Sequence, residues 1–359
     1  MRNYTNRGRG APPPADIAGR RVEVVVPAGL EAIARAELRR LGRAARLEPA
    51  VAPGVVAITY GGELRALLGL RAATSVYLAK GFDVPRPKAL LGDAQFREAA
   101  ALAETALRLH PAGAFQTLYL SAAGADTAVM ARLKQELAAR LGLALGDEDG
   151  DLLLRLRRGA GGAGWELLAR LSPRPLATRA WRVCNLAGAL NGPVAHAMAM
   201  LTEPSGDDVF LNIGCGSGTL LVERLLVGPA RRAMGCDTSA EALDCARANL
   251  AAAGLAGRCE LAGWDARALP LPEASVDVLV GDLPFGHLVG SHDENLTLYP
   301  ALLAEAARVA RPGARCALLS HEVRLMERLL AASSAWRLEE ALRVDLGGLY
   351  PRIFLLRRG

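Results

Sequence analysis

The sequence predicts an α/β protein whose C-terminal half is a parallel sheet with helices on both faces and whose N-terminal half is α+β. Three observations predict this. From Asp208 onward, short aliphatic or β-branched runs alternate with segments of helical periodicity, the rhythm of a doubly wound sheet. Between Arg20 and Arg170 the same segment types occur, but the last two extended runs face each other across a glycine-rich turn and read as a hairpin. The chain has 359 residues, 51% of them apolar, enough for two or three domains with their own cores.

The elements follow in order. Residues 1–19 carry Arg/Gly repeats and Pro12-Pro13-Pro14; they cannot build a core and are expected to form a flexible tail. Residues 20–74 read as a small α+β domain. It has a strand at Val22 to Val26, a helix at Leu30 to Leu41, a strand at Val55 to Tyr60, and a short helix through Leu64, Leu67 and Leu68. Residues 75–172 read as a second domain. Its elements are strand Ser75 to Ala79, helix Gln95 to Leu109, strand Ala114 to Ser121, helix Thr127 to Leu141, and the hairpin Leu152 to Leu156 with Trp165 to Arg170 across Gly159 to Gly164.

Pro173 and Pro175 then break the pattern, and residues 173–190 are a linker. The third domain, 191–359, opens with a helix at Pro193 to Leu201. Strands are expected at Val209 to Ile213, Ala233 to Cys236, Cys259 to Ala262, Val276 to Gly281 and Cys316 to Leu319. Helices are expected at Thr219 to Leu226, Ala240 to Ala253, Leu296 to Ala310 and Glu322 to Ala331, with closing strands at Arg337 to Val344 and Tyr350 to Leu356. No fixed-period repeat is visible.

Composition narrows the function classes. No run approaches the roughly 20 apolar residues that span a bilayer, and the polar N-terminus lacks the apolar stretch of a secretory signal. A soluble protein is expected. The six cysteines have no two-residue knuckle spacing and sit mostly in apolar runs. They are expected to be free thiols acting as small hydrophobes in a reducing cytoplasm. Residues 1–200 hold 27 Lys/Arg against 17 Asp/Glu, whereas residues 201–359 hold 16 against 20. A basic half beside an acidic half suits contact of the first with a polyanion. Arginine-rich solvated surface explains the same numbers.

The chemistry is concentrated in the third domain. In Val209 to Thr219 a buried strand runs into Gly214, Gly216 and Gly218 just before a helix. Glycines allow a sharp turn and close ligand approach. The dinucleotide fingerprint needs a glycine where this chain has Thr219; the spacing suits S-adenosylmethionine better. Asp237 ends the next strand, where a carboxylate can accept bonds from both ribose hydroxyls; an N-cap role is the competing reading, with Ser239 and Glu241 following. Asp265, after the third strand, can accept from an adenine amine or simply form a turn. The decisive segment is Gly281-Asp-Leu-Pro-Phe-Gly286 at the fourth strand end. Asp282 offers a carboxylate, the Leu283 carbonyl is held outward by Pro284, and Phe285 offers a stacking face. In isolation such a tetrapeptide is commonly an ordinary turn over a core phenylalanine; after this loop and this acid it suits a planar exocyclic amine.

Two metal readings fail. Asp147 to Asp151 resembles a calcium loop, but Leu152 and Arg158 stand where glycine and glutamate are needed. His321-Glu322 lacks a second histidine, since Leu325 occupies that place. No catalytic metal is expected.

These residues resemble those of the THUMP-domain RNA guanine-N2 methyltransferases, in particular the bacterial and archaeal enzymes that methylate tRNA at guanosine 6. The resemblance rests on Asn212 to Thr219 with Glu223, on Asp237, on Asp282 to Gly286, on Asn295 to Pro300, and on the closing Leu349-Tyr-Pro-Arg352. Relatives usually carry aspartate where this chain has Asn212, and many carry a basic residue where it has His287.

The resemblance implies a C-terminal Rossmann-like methyltransferase sheet, a ferredoxin-like domain over 20–74 and a THUMP RNA-binding domain over 75–172. It implies S-adenosylmethionine as cofactor, held by Asn212, Gly214, Gly216, Gly218, Thr219, Asp237, Asp265 and Asp282. Catalysis would fall to Asp282, Leu283, Pro284 and Phe285. The expected partner is tRNA, engaged by a monomer in the cytoplasm without membrane or metal. Other readings are a ribosomal-RNA guanine-N2 methyltransferase, a DNA-adenine or protein-glutamine amino-methyltransferase, and a non-catalytic RNA-binding protein.

Overall fold

The computed structural model describes residues 19–123, 127–148, 150–159, 162, 164–284 and 291–359. Residues 1–18 of the expected tail, Phe285, Gly286 and His287 lie outside these residues.

The N-terminal half contains β1 (Arg20–Val25), α1 (Glu31–Arg39), β2 (Ala45–Leu47), β3 (Val55–Tyr60), α2 (Leu64–Leu67) and β4 (Ser75–Phe82). It continues with α3 (Asp93–Leu107), β5 (Thr117–Ala122), α4 (Ala128–Leu141), β6 (Ala144–Leu145), β7 (Leu152–Arg158) and β8 (Trp165–Arg170). These strands form one eight-stranded sheet in the order β2-β3-β1-β4-β8-β7-β5-β6. The sheet does not break at residue 74. β4 pairs antiparallel with β1 on one edge and with β8 on the other, so the two N-terminal units share a single ladder. The hairpin expected at 152–170 forms as the antiparallel β7–β8 pair. A buried ionic stripe ties this sheet together: Arg157 pairs with both Glu23 of β1 and Glu166 of β8.

The C-terminal half runs α5 (Gly192–Leu201), β9 (Val209–Ile213), α6 (Thr219–Val227), β10 (Arg232–Cys236), α7 (Ala240–Ala252), β11 (Glu260–Ala262) and β12 (Val276–Asp282). It closes with α8 (His292–Val309), β13 (Ala310–Ser320), α9 (Val323–Ala331), β14 (Trp336–Arg343) and β15 (Arg352–Arg358). The sheet order is β11-β10-β9-β12-β13-β15-β14. Its first five strands are parallel and the last two antiparallel. Strand alternation divides the core. Phe210, Val278 and Val280 face the core shared with the N-terminal half, while Leu211, Ile213 and Leu279 pack beneath α8 and α9. The strand order reverses between β9 and β12, which places a crevice at their C-terminal ends.

Two local differences from the sequence expectations have clear causes. Helix α8 starts at His292 rather than Leu296, because the Ser291 side chain caps it by accepting from Glu294 N and two acids fill its first turn. The cysteines are not all free: Cys184 in the linker and Cys245 in α7 form a disulfide. Cys215, Cys236, Cys259 and Cys316 remain thiols.

The halves are joined through Glu223, which is fully buried on α6. Its carboxylate pairs with Arg71 at 2.7 Å and with Arg179 of the linker at 2.8 Å. Arg179 also donates to the Arg71 carbonyl. His196 of α5 lies 3.1 Å from Glu37 of α1. One acid therefore holds the first domain, the linker and the third domain at a common point.

Candidate active site

A cavity of about 650 Å³ opens at the switch between β9 and β12, within the range of small-molecule sites. Its walls are the loop from Gly214 to Ser217, the tip of β10 at Asp237 to Ser239, the segment Trp264 to Arg267, the turn Asp282 to Pro284, one face of α8, and linker residues Leu186 to Leu190.

The three glycines of the loop do different work. All adopt positive φ, at 58°, 51° and 79° for Gly214, Gly216 and Gly218, a region closed to most side chains. A Cβ added at Gly214 or Gly216 would meet nothing within 4 Å, so these two leave an open cradle beside the cavity. At Gly218 it would come 3.0 Å from Ala246 Cβ on α7. Gly218 does not line the cavity; it allows close packing of α7. Thr219 lines the cavity at the start of α6, where unpaired helical N–H groups gather.

Asn212 also departs from its expected place. It is fully buried on β9 and absent from the cavity wall. Its Nδ2 donates to the Val280 and Ile213 carbonyls. An amide can serve those two acceptors and a carboxylate cannot, so the asparagine braces the strand ends.

Asp237 lines the cavity and is clamped in place. Its Oδ2 accepts from Gly216 N at 2.9 Å and its Oδ1 from Ser239 N at 3.0 Å. The cap of α7 is Ser239, which accepts from Ala242 N, not Asp237. Each carboxylate oxygen has a second lone pair and can still accept from a ribose hydroxyl. Asp265 lies on the rim in a bidentate pair with Arg267, which holds its carboxyl below the usual range. An amine reaching Asp265 has to share that carboxylate with the guanidinium.

Asp282 ends β12 beneath the cavity mouth. Its Oδ1 is buried and has no hydrogen-bond partner among the described residues. Burial alone pushes its carboxyl up to about 7. An unpartnered buried carboxylate oxygen is costly, and one lining a cavity can accept from a bound donor. The ladder continues one residue further, since Leu283 N donates to Leu319 O, and the Leu283 side chain is buried in the core under α8. The Pro284 carbonyl is held twice, by Asn295 Nδ2 at 3.0 Å and Tyr299 Oη at 2.7 Å; Tyr299 also bonds Ser320 at 3.0 Å. Phe285, the expected stacking ring, lies outside the described residues.

The structure thus brings Gly214, Gly216, Thr219, Asp237, Asp265, Asp282, Leu283 and Pro284 to one cavity and leaves Asn212 and Gly218 behind it. Sequence reasoning gave no role to two supports, the first of them inside the segment Asn295 to Pro300. Asn295 and Tyr299 stand one helical turn apart on α8, a spacing that could have marked a shared face. The other is the strap Leu186 to Leu190, whose approach is fixed by the disulfide and by Asn249. That asparagine accepts from Val183 N and Cys184 N and donates to the Cys184 and Ser217 carbonyls. Nothing in the spacing of Cys184 and Cys245, 61 residues apart, announces this contact.

The fold is the Rossmann-like methyltransferase fold, with a cavity at its strand-order switch. Residues 179–352 match the UPF0020 family model, described as an RMKL-like methyltransferase domain. The solved structure of TrmN from Thermus thermophilus superposes with a TM-score of 0.73 at 25% identity, over 94% of this chain and 99% of that one. A Thermus thermophilus tRNA (guanine(6)-N2)-methyltransferase is 32% identical over 190 residues, 53% of this chain and 56% of that protein. The Mus musculus tRNA (guanine(6)-N(2))-methyltransferase THUMP3 is 31% identical over 182 residues, 47% of this chain and 36% of that protein. The chain therefore matches about a third to a half of the length of these curated relatives.

Proposed function

We propose that this protein transfers a methyl group from S-adenosylmethionine to the exocyclic N2 amine of a guanosine in tRNA, at position 6 of the acceptor stem. The single observation that carries the reading is the buried Asp282 oxygen at the mouth of the cavity, which has no donor among the described residues. The residues present fit the cofactor. Gly214 and Gly216 leave room for it, Asp237 would hold the ribose, and the apolar wall of Trp264, Leu298 and Leu302 would flank the adenine. When bound, it supplies a methyl group on a cationic sulfonium.

The remaining chemistry belongs to the protein's own groups. The guanine N2 lone pair is delocalised into the ring and is a weak nucleophile. Ionised Asp282 and the Leu283 carbonyl would accept the two N–H bonds. That aligns the lone pair and stabilises positive charge as it grows on nitrogen. Asn295 and Tyr299 keep the turn from shifting, so positioning supplies most of the acceleration. The target base leaves its stack to enter, at a cost of a few kcal/mol. The basic N-terminal half would act as the THUMP-type RNA grip, through salt-sensitive phosphate contacts. An RNA substrate of this kind suits a cytoplasmic site of action.

The test is methylation of tRNA transcripts followed by nucleoside mass spectrometry. N2-methylguanosine mapped to position 6, and lost when that guanosine is replaced by adenosine, is the expected result. Modification of adenine, of protein, or of ribosomal RNA alone would contradict it.

A further inference from the structure

The turn between β14 and β15 carries a feature that methyl transfer has not used. Leu349 and Tyr350 are 47% and 48% exposed, adjacent in sequence and held on a rigid tip. Val344 N donates to Pro351 O, Leu346 N to Leu349 O, and Gly348 N to Asp345 Oδ1. Pro351 keeps Tyr350 extended. The Arg343 guanidinium lies over the Tyr350 ring at 4.1 Å. Arg343 is exposed and has no acidic partner among the described residues.

The strand register puts this tip beside the reaction. Asp282 pairs with Leu319, Leu319 with Ile353, and Ser320 with Arg352. Asp282 and Ile353 are thus two strand spacings apart, about 10 Å, and Tyr350 follows just beyond the start of β15 on the same edge of the sheet. The tip is also fixed to the N-terminal half. Asp345 N donates to Ala28 O at 2.9 Å, and a Cβ at Gly29 would fall 2.1 Å from the Arg343 carbonyl. The tip thus sits on the seam between the N-terminal half and the third domain.

We propose that Tyr350, backed by Arg343, is a stacking platform for a nucleotide of the RNA substrate that neighbours the methylated guanosine. One ring face is covered by the guanidinium and the other receives the base. The unpaired positive charge meets the adjoining phosphate, and Leu349 extends the apolar contact. This rests on the reading of the cavity as an RNA methyltransferase site. It gives the displaced strand a place to rest while the target base is out of its stack, as aromatic–base stacking does on single strands.

The test is steady-state methylation of a tRNA transcript by Tyr350→Ala, Tyr350→Phe and Arg343→Ala, with cofactor affinity measured by calorimetry. Tyr350→Ala is expected to raise KM for RNA about tenfold, in line with the loss of one stacked base. Tyr350→Phe should match the wild type, Arg343→Ala should fall between, and cofactor affinity should be unchanged in all three. A wild-type KM for RNA in Tyr350→Ala overturns the platform while leaving the methyltransferase reading intact. Equal weakening of RNA and cofactor overturns it as well, by showing a structural role. If the wild type binds cofactor yet methylates no RNA, the reading beneath the platform fails and the platform with it.

Discussion

Asp282 is the residue on which chemistry and stability pull against each other. Burial pushes its carboxyl up to about 7, and it must be ionised to accept from an amine. The transfer rate is therefore expected to rise with pH through about 7 in kcat/KM measured from pH 5.5 to 8.5, and a flat profile would contradict the assignment. The stability sign is opposite. The folded state binds a proton that the unfolded state has released between the ordinary carboxylate range and about 7, so this residue makes the fold less stable as pH rises through that window. Asp282→Asn should consequently melt no lower than wild type at pH 8, as thermal denaturation can check. Tyr299 acts on the same turn from behind. Tyr299→Phe removes one of the two donors to Pro284 O and should lower kcat about tenfold, a lost hydrogen bond's worth. Cofactor affinity should stay as it was, and a matching loss of cofactor binding would sink the positioning role.

At the scale of elements, the linker strap is the part that folding physics alone did not reveal. Strands such as β3 and β9 were legible to the residue, because short runs of β-branched and aliphatic side chains ended by glycine specify them locally. The loop–helix junction at Gly214 to Thr219 was legible too, since positive φ at successive glycines has few uses. The strap depends on Cys184 meeting Cys245 and on Asn249 reaching two segments at once, contacts between residues far apart in sequence. The same holds for Gly218 and Asn212, whose neighbours lie on α7 and β12. The free-thiol expectation failed at Cys184 and Cys245 for this reason: burial in an apolar run says nothing about which sulfur lies opposite. Reducing the disulfide is expected to weaken cofactor binding several-fold and leave the fold standing, because Asn249 still holds Val183 and Cys184. Calorimetry with and without reductant, with Cys245→Ser as the variant insensitive to it, reads the effect; identical affinities in both states would show that the strap holds without the sulfur bond.

Across the whole molecule, the charge asymmetry seen in the sequence corresponds to a division between an N-terminal sheet and a parallel sheet that share a core and meet at Glu223. Glu223→Ala leaves Arg71 and Arg179 facing each other without a counter-charge and should cost about 3–5 kcal/mol, seen as a lowered midpoint in denaturant. A midpoint within error of wild type would show that the apolar contacts alone set the arrangement. Under the proposed methyl transfer, that arrangement would present the basic half and the Asp282 cavity to one RNA substrate. The most direct measurement is single-turnover methylation of a tRNA transcript by wild type and Asp282→Asn, alongside the cofactor dissociation constant of each. Loss of N2-methylguanosine formation with cofactor affinity retained is the predicted result; full transfer by the asparagine variant would contradict the account.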